Sequence, residues 1–192
     1  YGQSENDYAY PDTNIKNENG QYKNSGFQYV LGNRINENNT VSFYGAHNKN
    51  DRNLSGTLTA PGRSGLVTTY DRLALKWNNS GNKYSSTLTA AWLAENYEYF
   101  PVKDQPLSNE NKGSNFVGSY DLSYFLNNNT RLSAGLDYNT AHAEGDDLPD
   151  KDLDRVEGFV VFGSNIKRKL RYNLSARKGF ASEYSIPFIF AA

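Results

Sequence analysis

One rhythm constrains this chain more than any single motif. Segments in which large apolar residues alternate with small or polar ones are joined by connections that run short, long, short, long. Period-two alternation marks a strand with two unlike faces. It predicts eight strands, at about 24–35, 40–48, 68–78, 83–96, 114–126, 130–141, 154–166 and 169–180. The links INENNT (35–40), NNSG (78–81), NNNT (127–130) and NIKRK (165–169) read as tight turns. Asn and Gly tolerate the backbone that such turns need. The links 49–67, 97–113 and 142–153 are long and rich in Asp, Asn, Gly, Pro and Ser. A soluble β-sandwich has no reason to gather its long loops at one end. An antiparallel transmembrane β-barrel does, with short turns on one side of the membrane and long loops on the other. The strands are also longer than the five or six residues usual in soluble sheets and suit a tilted bilayer crossing.

The faces sharpen that expectation. Phe116 and Tyr124, Tyr84 and Trp92, and Tyr172 and Phe180 are each eight residues apart on one face, with mostly Leu, Ala or Gly between them. Eight residues of strand span roughly 26 Å. A barrel's lipid-facing band is about 25 Å tall, with aromatic girdles at both rims. The other face carries Tyr70, Arg72, Ala74, Lys76 and Asn78 on one strand and Arg171, Asn173, Ser175 and Arg177 on another. It is expected to line a lumen. Lys178 falls on the lipid side near the outer rim, where a long side chain can snorkel. Strand 154–166 is ambiguous, because Phe159 to Phe162 is apolar on both faces.

Composition excludes other classes. Mean hydropathy is -0.78, and no run of about 18 apolar residues could form a spanning helix. Aromatic residues make up 14%, which argues against disorder. The formal charge of -1, with no basic stripe, gives no sign of a nucleic-acid partner. Cysteine is absent, so there are neither disulfides nor thiolate metal sites. Phosphate-loop, nucleophile-elbow and zinc-helix motifs are also missing, and the chain does not read as an enzyme.

The predicted domain plan is an extracellular loop or irregular segment at 1–22, barrel hairpins over 23–181, and the start of an extracellular loop at 182–192. Both ends then fall on the long-loop side. An open eight-strand sheet leaves two unpaired edges, which lipid forbids. The four hairpins are therefore expected to be a slice of a larger barrel. The stretch SARKGFASEYSIPF (175–188) resembles a segment of TonB-dependent outer-membrane receptors in which a strand ends in Gly-Phe and enters an extracellular loop. Gly179 and Phe180 are the matching positions; Pro187 comes later than in that pattern. The resemblance implies a barrel of about 22 strands in the bacterial outer membrane, gated by a plug domain and driven by the TonB system. It implies uptake of a scarce nutrient such as a metal chelate, a cobalamin or an oligosaccharide. A passive porin or adhesin barrel, or a soluble sugar-binding β-sandwich, are the alternatives.

Candidate sites follow from that picture. Arg72, Lys76 and Arg177 on the lumen face would contact the plug or draw in an anionic ligand. Tyr97 and Tyr99, in ENYEYFP, could stack on a ligand at the barrel mouth or belong to the upper girdle. The acidic stretch HAEGDDLPDKDLDR (142–155) offers Asp146, Asp147 and Asp150 as hard oxygen ligands that could hold Ca²⁺, although its spacing is not that of an EF-hand. No other cofactor is expected. His47 and His142 lie at outer strand ends and read as solvated rim residues.

Overall fold

The computed structural model describes residues 1–5, 8–17, 19–57, 59–166 and 169–192. Among these there are twelve strands and no helix. The strands are β1 (Gly2–Glu5), β2 (Tyr8–Ala9), β3 (Lys16–Asn17), β4 (Gln21–Asn36), β5 (Asn39–Leu54), β6 (Ser64–Ser80), β7 (Tyr84–Phe100), β8 (Asn109–Asn127), β9 (Thr130–Gly145), β10 (Lys151–Ile166), β11 (Leu170–Ala181) and β12 (Ile189–Ala191). Ten form one antiparallel sheet in the order β1-β4-β5-β6-β7-β8-β9-β10-β11-β12, while β2 and β3 make a separate two-stranded ribbon. The sheet is not closed: its outermost strands do not pair with each other.

The eight long strands, β4 to β11, lie where the alternation places them, but most extend further. The connections that read as long loops shrink to 55–63, 101–108 and 146–150. The reason is local. In the extensions polar residues fall on both faces, with apolar ones such as Leu66, Val67 and Phe100 in no regular alternation, so the period-two signal is lost while backbone pairing continues. Side chains sustain the ladder across strands: His47 Nδ1 to Asp71 at 2.7 Å, Asn48 to Asn24 at 2.8 Å, Asn96 to Glu110 at 2.7 Å and His142 Nδ1 to Asp152 at 2.8 Å. The flanking segments also pair. β1 lies along Gln21–Asn24 of β4, and β12 along Ser175–Arg177 of β11. Residues 182–192 are therefore not loop throughout, and the up-and-down order continues past both ends of the eight.

Two of the short turns share one construction. Asn36 accepts a hydrogen bond from the Asn38 amide at 3.0 Å, and Asn127 from the Asn129 amide at 2.9 Å. A register shift precedes each, at Arg34/Asn36 and at Phe125/Asn127. Three turns also accept a bond from the next hairpin: Ser80 to Asn38 at 2.8 Å, Phe125 to Lys83 at 2.7 Å and Asn165 to Asn129 at 2.8 Å. The predicted turn NIKRK contains Lys167 and Arg168, which lie outside the described residues; Lys169 donates to the Ile166 carbonyl at 2.9 Å.

These links reflect a steady stagger. One continuous rung runs Phe43–Leu75–Ala90–Gly118–Tyr138–Val156–Phe180. Phe43 is four residues above the turn end of β5, Asn39. Phe180 is ten above that of β11, Leu170. The rise is 10 − 4 = 6 residues over six strand-to-strand steps, or one residue per strand. With about 3.3 Å per residue and about 4.8 Å between strands, that shear tilts the strands by roughly 35° from the normal to the line of turns.

The sheet is one layer thick. Leu66, 4% exposed, is the one buried hydrophobic side chain among the described residues. A soluble domain buries an apolar face against a second layer. Here the apolar face has none.

Candidate functional site

The two faces of the sheet are chemically opposite, and register fixes which residue belongs to each. One face carries Phe43, Leu73, Leu75 and Trp77 on β5 and β6. It continues with Tyr84, Leu88 and Trp92 on β7, Phe116, Tyr120, Leu122 and Tyr124 on β8, Leu132 and Leu136 on β9, and Leu174 and Phe180 on β11. Most of these stand in the open; Trp92 is 41% exposed and Leu136 53%. Aromatic residues mark both margins. Tyr84 pairs with Tyr124 at one margin and Trp92 with Phe116 at the other. Trp77 Nε1 donates to Asn39 at 3.0 Å, so its polar edge meets the turn while its ring stays with the apolar band. The band does not follow the rungs. Its lower aromatics descend from Trp77 on β6 to Tyr172 on β11, which keeps them level with the turns.

The opposite face is polar and more closely packed. Toward the β12 edge it carries an ion cluster on β9, β10 and β11. Glu157, 8% exposed, accepts from Arg155 Nε at 3.2 Å and Arg177 Nη1 at 3.3 Å. Arg177 also reaches Asp137 at 3.4 Å and lies 5.7 Å from the centre of the Phe159 ring. The far end of that ring occupies the space beside Gly135 that a Cβ would need; Tyr29 covers Gly45 on the other face in the same way. The second apolar residue set of strand 154–166 is thus accounted for: Phe159 fills a glycine notch on the polar face.

The predicted residues occupy this framework unevenly. Arg72, Lys76, Tyr97, Tyr99 and Arg177 all share the polar face. Tyr97 and Tyr99 lie inside β7 with parity opposite to Trp92, so they are not part of the upper aromatic margin. Arg72 borders a hollow of about 210 Å³ with Tyr70, Leu93, Glu95 and Asn115. Tyr97 stands opposite Thr68, four residues beyond the Arg72–Leu93 pair. Arg177 is five strands from Arg72, roughly 24 Å across the sheet. The five side chains therefore do not converge on one ligand. Lys178, on the apolar side, donates to the Ile186 carbonyl at 2.6 Å and lies 5.2 Å from the Phe180 ring, so its charge is capped by the loop after β11.

The acidic stretch divides its carboxylates. Asp146 accepts from the Glu110 amide at 2.9 Å and Asp147 from Asn109 at 3.1 Å, which fastens the tip of one hairpin to the start of β8. Asp150 faces His142 at 3.7 Å. Among the described residues no three His, Asp or Glu side chains are arranged to hold a metal ion. His142 sits among Asp152, Asp150 and Glu144, and its hydrogen bond to Asp152 raises its pKa above 6.5, with the three carboxylate charges adding to the effect. Nearby, the Lys112 ammonium and then the Asn96 amide hold Glu110 below the usual glutamate value. Sequence reading missed the Glu157 cluster, since its strand is apolar on both sides, and the rim contacts, which join segments up to 52 residues apart, as in Lys103–Asp51.

No model of a known protein family matches this sequence, and no curated protein matches it. The class that the fold itself defines is an all-β protein built on a large, single-layered antiparallel sheet with one apolar and one polar face.

Proposed function

We propose that these hairpins are wall strands of a transmembrane β-barrel in a bacterial outer membrane, and that the barrel belongs to an energised nutrient receptor of the TonB-dependent type. The observation that carries the first part is the exposed apolar face itself. It is bounded by aromatics, lacks a covering layer, and lies on strands staggered for a tilt of roughly 35°, the value that barrel closure needs. Once tilted, the band from Tyr84 to Trp92 stands roughly 21 Å tall, close to that of a membrane barrel. β1 and β12 cover β4 and β11 only along Gln21–Asn24 and Ser175–Arg177, and the uncovered remainder calls for further strands, because a lipid-exposed edge leaves backbone groups unpaired.

The receptor part rests on three supports. The polar face carries charged groups suited to a lumen that holds a ligand or a plug. The hairpins rise well past the band, Phe100 standing eight residues beyond Trp92, and so offer recognition surface outside the membrane. The Gly-Phe pair has a local reason of the kind the resemblance implies: Gly179 lies beneath Glu157 and Ile186, where the outer loop folds back, and Phe180 stays on the apolar side. The expected substrate is a metal chelate, a cobalamin or an oligosaccharide.

Spin labels at Leu88, Leu122 and Leu174, in the intact protein in vesicles, test the barrel. Oxygen should relax them strongly and an aqueous nickel complex weakly, while labels at Thr89, Ser119 and Ser175 show the reverse. Aqueous access at the three leucines, or contact among them in a closed interior, would end the proposal. Ligand accumulation that collapses when the cells are de-energised supports the receptor; accumulation indifferent to energy assigns a passive porin instead.

A further inference from the structure

The N-terminal ribbon builds a cleft whose chemistry is unlike that of either sheet face. Asn19 spans the mouth of the β5–β6 hairpin, donating to the Leu54 carbonyl at 2.7 Å and the Ser64 carbonyl at 3.0 Å. Asn17, 5% exposed, donates to Ser55 at 3.0 Å, and Ser55 returns a bond to the Asn19 carbonyl at 3.1 Å. The Tyr10 hydroxyl reaches the Gly56 carbonyl at 3.3 Å. These bonds fix one wall. The other is made by Arg63 and by Lys103, whose amide donates to the Arg63 carbonyl at 2.7 Å. The space between is about 460 Å³, within the range of ligand sites, but its lining is polar where most ligand sites are apolar.

Three cations line it, Lys16, Arg63 and Lys103, against one described carboxylate, Asp104. Lys103 is committed, bonded to Asp51 at 2.6 Å and 4.8 Å from the Phe100 ring centre. Arg63 is not: Asp104 is 3.9 Å away and the two side chains are 72% and 84% exposed. Lys16 is exposed too. Gln21 and Asn53 face the same space, and their mutual bond is long, 3.4 Å, and exposed. Such an amide pair can exchange its contact for ligand hydroxyls.

Position narrows the source of the ligand. Gln21, Asn53 and Gly65 share the parity of Phe27, Gly45 and Leu73, so the cleft opens on the outer side of the sheet. It stands six to eight residues past those positions, roughly 16–22 Å along the membrane normal at the tilt above. Ordinary headgroups occupy only about 5–8 Å outside the hydrocarbon. The sugar chain of a glycolipid in the same leaflet reaches further.

We propose that this cleft binds an anionic saccharide, whose phosphate groups meet Lys16 and Arg63 and whose hydroxyls meet Gln21 and Asn53. The membrane-borne source rests on the barrel reading; the saccharide chemistry of the cleft does not.

The test uses the intact protein in detergent and calorimetric titration. The probes are a phosphorylated inner-core oligosaccharide freed of lipid, the same oligosaccharide after phosphatase treatment, and inorganic phosphate. The phosphorylated oligosaccharide should bind at least about tenfold more tightly than the other two. The double variant Lys16→Gln/Arg63→Gln should lose about tenfold or more, with Arg63→Lys retaining part of the affinity. Both positions are exposed, and unchanged circular dichroism will show that the sheet is intact. Equal affinity for the phosphorylated and dephosphorylated forms, an unaffected double variant, or no binding of the phosphorylated form overturns the proposal. Vesicles carrying the intact glycolipid separate the sources. Retention above the free-oligosaccharide level supports the membrane-borne ligand, and equal affinity assigns the cleft to free saccharides. Failure of the cleft leaves the spin-label result untouched, so the two readings fall separately.

Discussion

Arginine placed at Leu88 is the most direct probe of what touches the apolar face. Leu88 lies four residues from both Tyr84 and Trp92, so at the strand tilt above it is roughly 11 Å from either aromatic margin. Its cross-strand neighbours are Trp77 and Tyr120. If hydrocarbon surrounds it, Leu88→Arg meets the midplane cost, about 2–4 kcal/mol. That is a roughly 30- to 900-fold loss in the folded-to-unfolded ratio. Thr89 is the matched control, at the same height on the other face between Lys76 and Ser119. There a new arginine meets water and one like charge, costing about 0.2–1 kcal/mol. The assay is reversible urea unfolding of the intact protein in thin-bilayer vesicles, followed by tryptophan emission. A Leu88→Arg cost within about 0.5 kcal/mol of that of Thr89→Arg would mean that both faces are in water, and the barrel argument would fail.

Three further experiments test the local readings. Gly135→Val should destabilise by about 1–3 kcal/mol, because the Phe159 ring occupies the space the side chain needs; the cost should shrink in a Phe159→Leu background, and a double-mutant cycle showing simple additivity would refute the contact. Glu157→Gln, which strips the carboxylate from between two guanidiniums, should cost about 1.5–3 kcal/mol by urea midpoint, whereas Asp137→Asn, with its half-exposed 3.4 Å contact, should cost less than about 1 kcal/mol. The His142 pKa is raised on folding, so its stabilisation of the 146–150 tip is complete below pH 6.5 and fades as pH climbs through the raised value. Limited proteolysis of that tip should accelerate over this window, and in His142→Gln the pH dependence should vanish; acceleration on acidification instead would reverse the assigned sign.

The fold was legible wherever one face of a strand differed from the other. Leu73, Leu75 and Trp77 against Arg72, Ala74 and Lys76 could be assigned to opposite faces from the sequence, because alternation depends only on side-chain environment. The same dependence hid the strand extensions. Around Asn50 and Arg52, or Glu110 and Lys112, polar residues fall on both faces, and nothing in the order of residues distinguishes a paired strand from a loop. What decides there is the neighbouring strand, whose side chain supplies the missing partner, as Asn96 does for Glu110. The turn chemistry was readable for a complementary reason: the Asn36 and Asn127 contacts span two residues and need no partner from elsewhere.

The candidate site was less legible, and stagger explains why. A residue's face follows from its number along the strand, but its lateral neighbours follow from register, which the sequence states only indirectly. Arg72, Lys76 and Arg177 lie on the polar face to which alternation assigned them, and Tyr97 and Tyr99, which the sequence left between ligand stacking and the girdle, share it; yet shear sets Tyr97 beyond Arg72 and places Arg177 strands away. Conversely, Asp137, Glu157 and Arg177 come from three strands, and one residue of slip per strand is what lets the buried carboxylate meet its arginine. A slip of one more residue on β11 would turn Arg177 to the apolar side and leave Glu157 with half its charge compensation. The register that tilts these strands is therefore also the register that satisfies the one buried carboxylate among the described residues, and the two requirements select the same pairing.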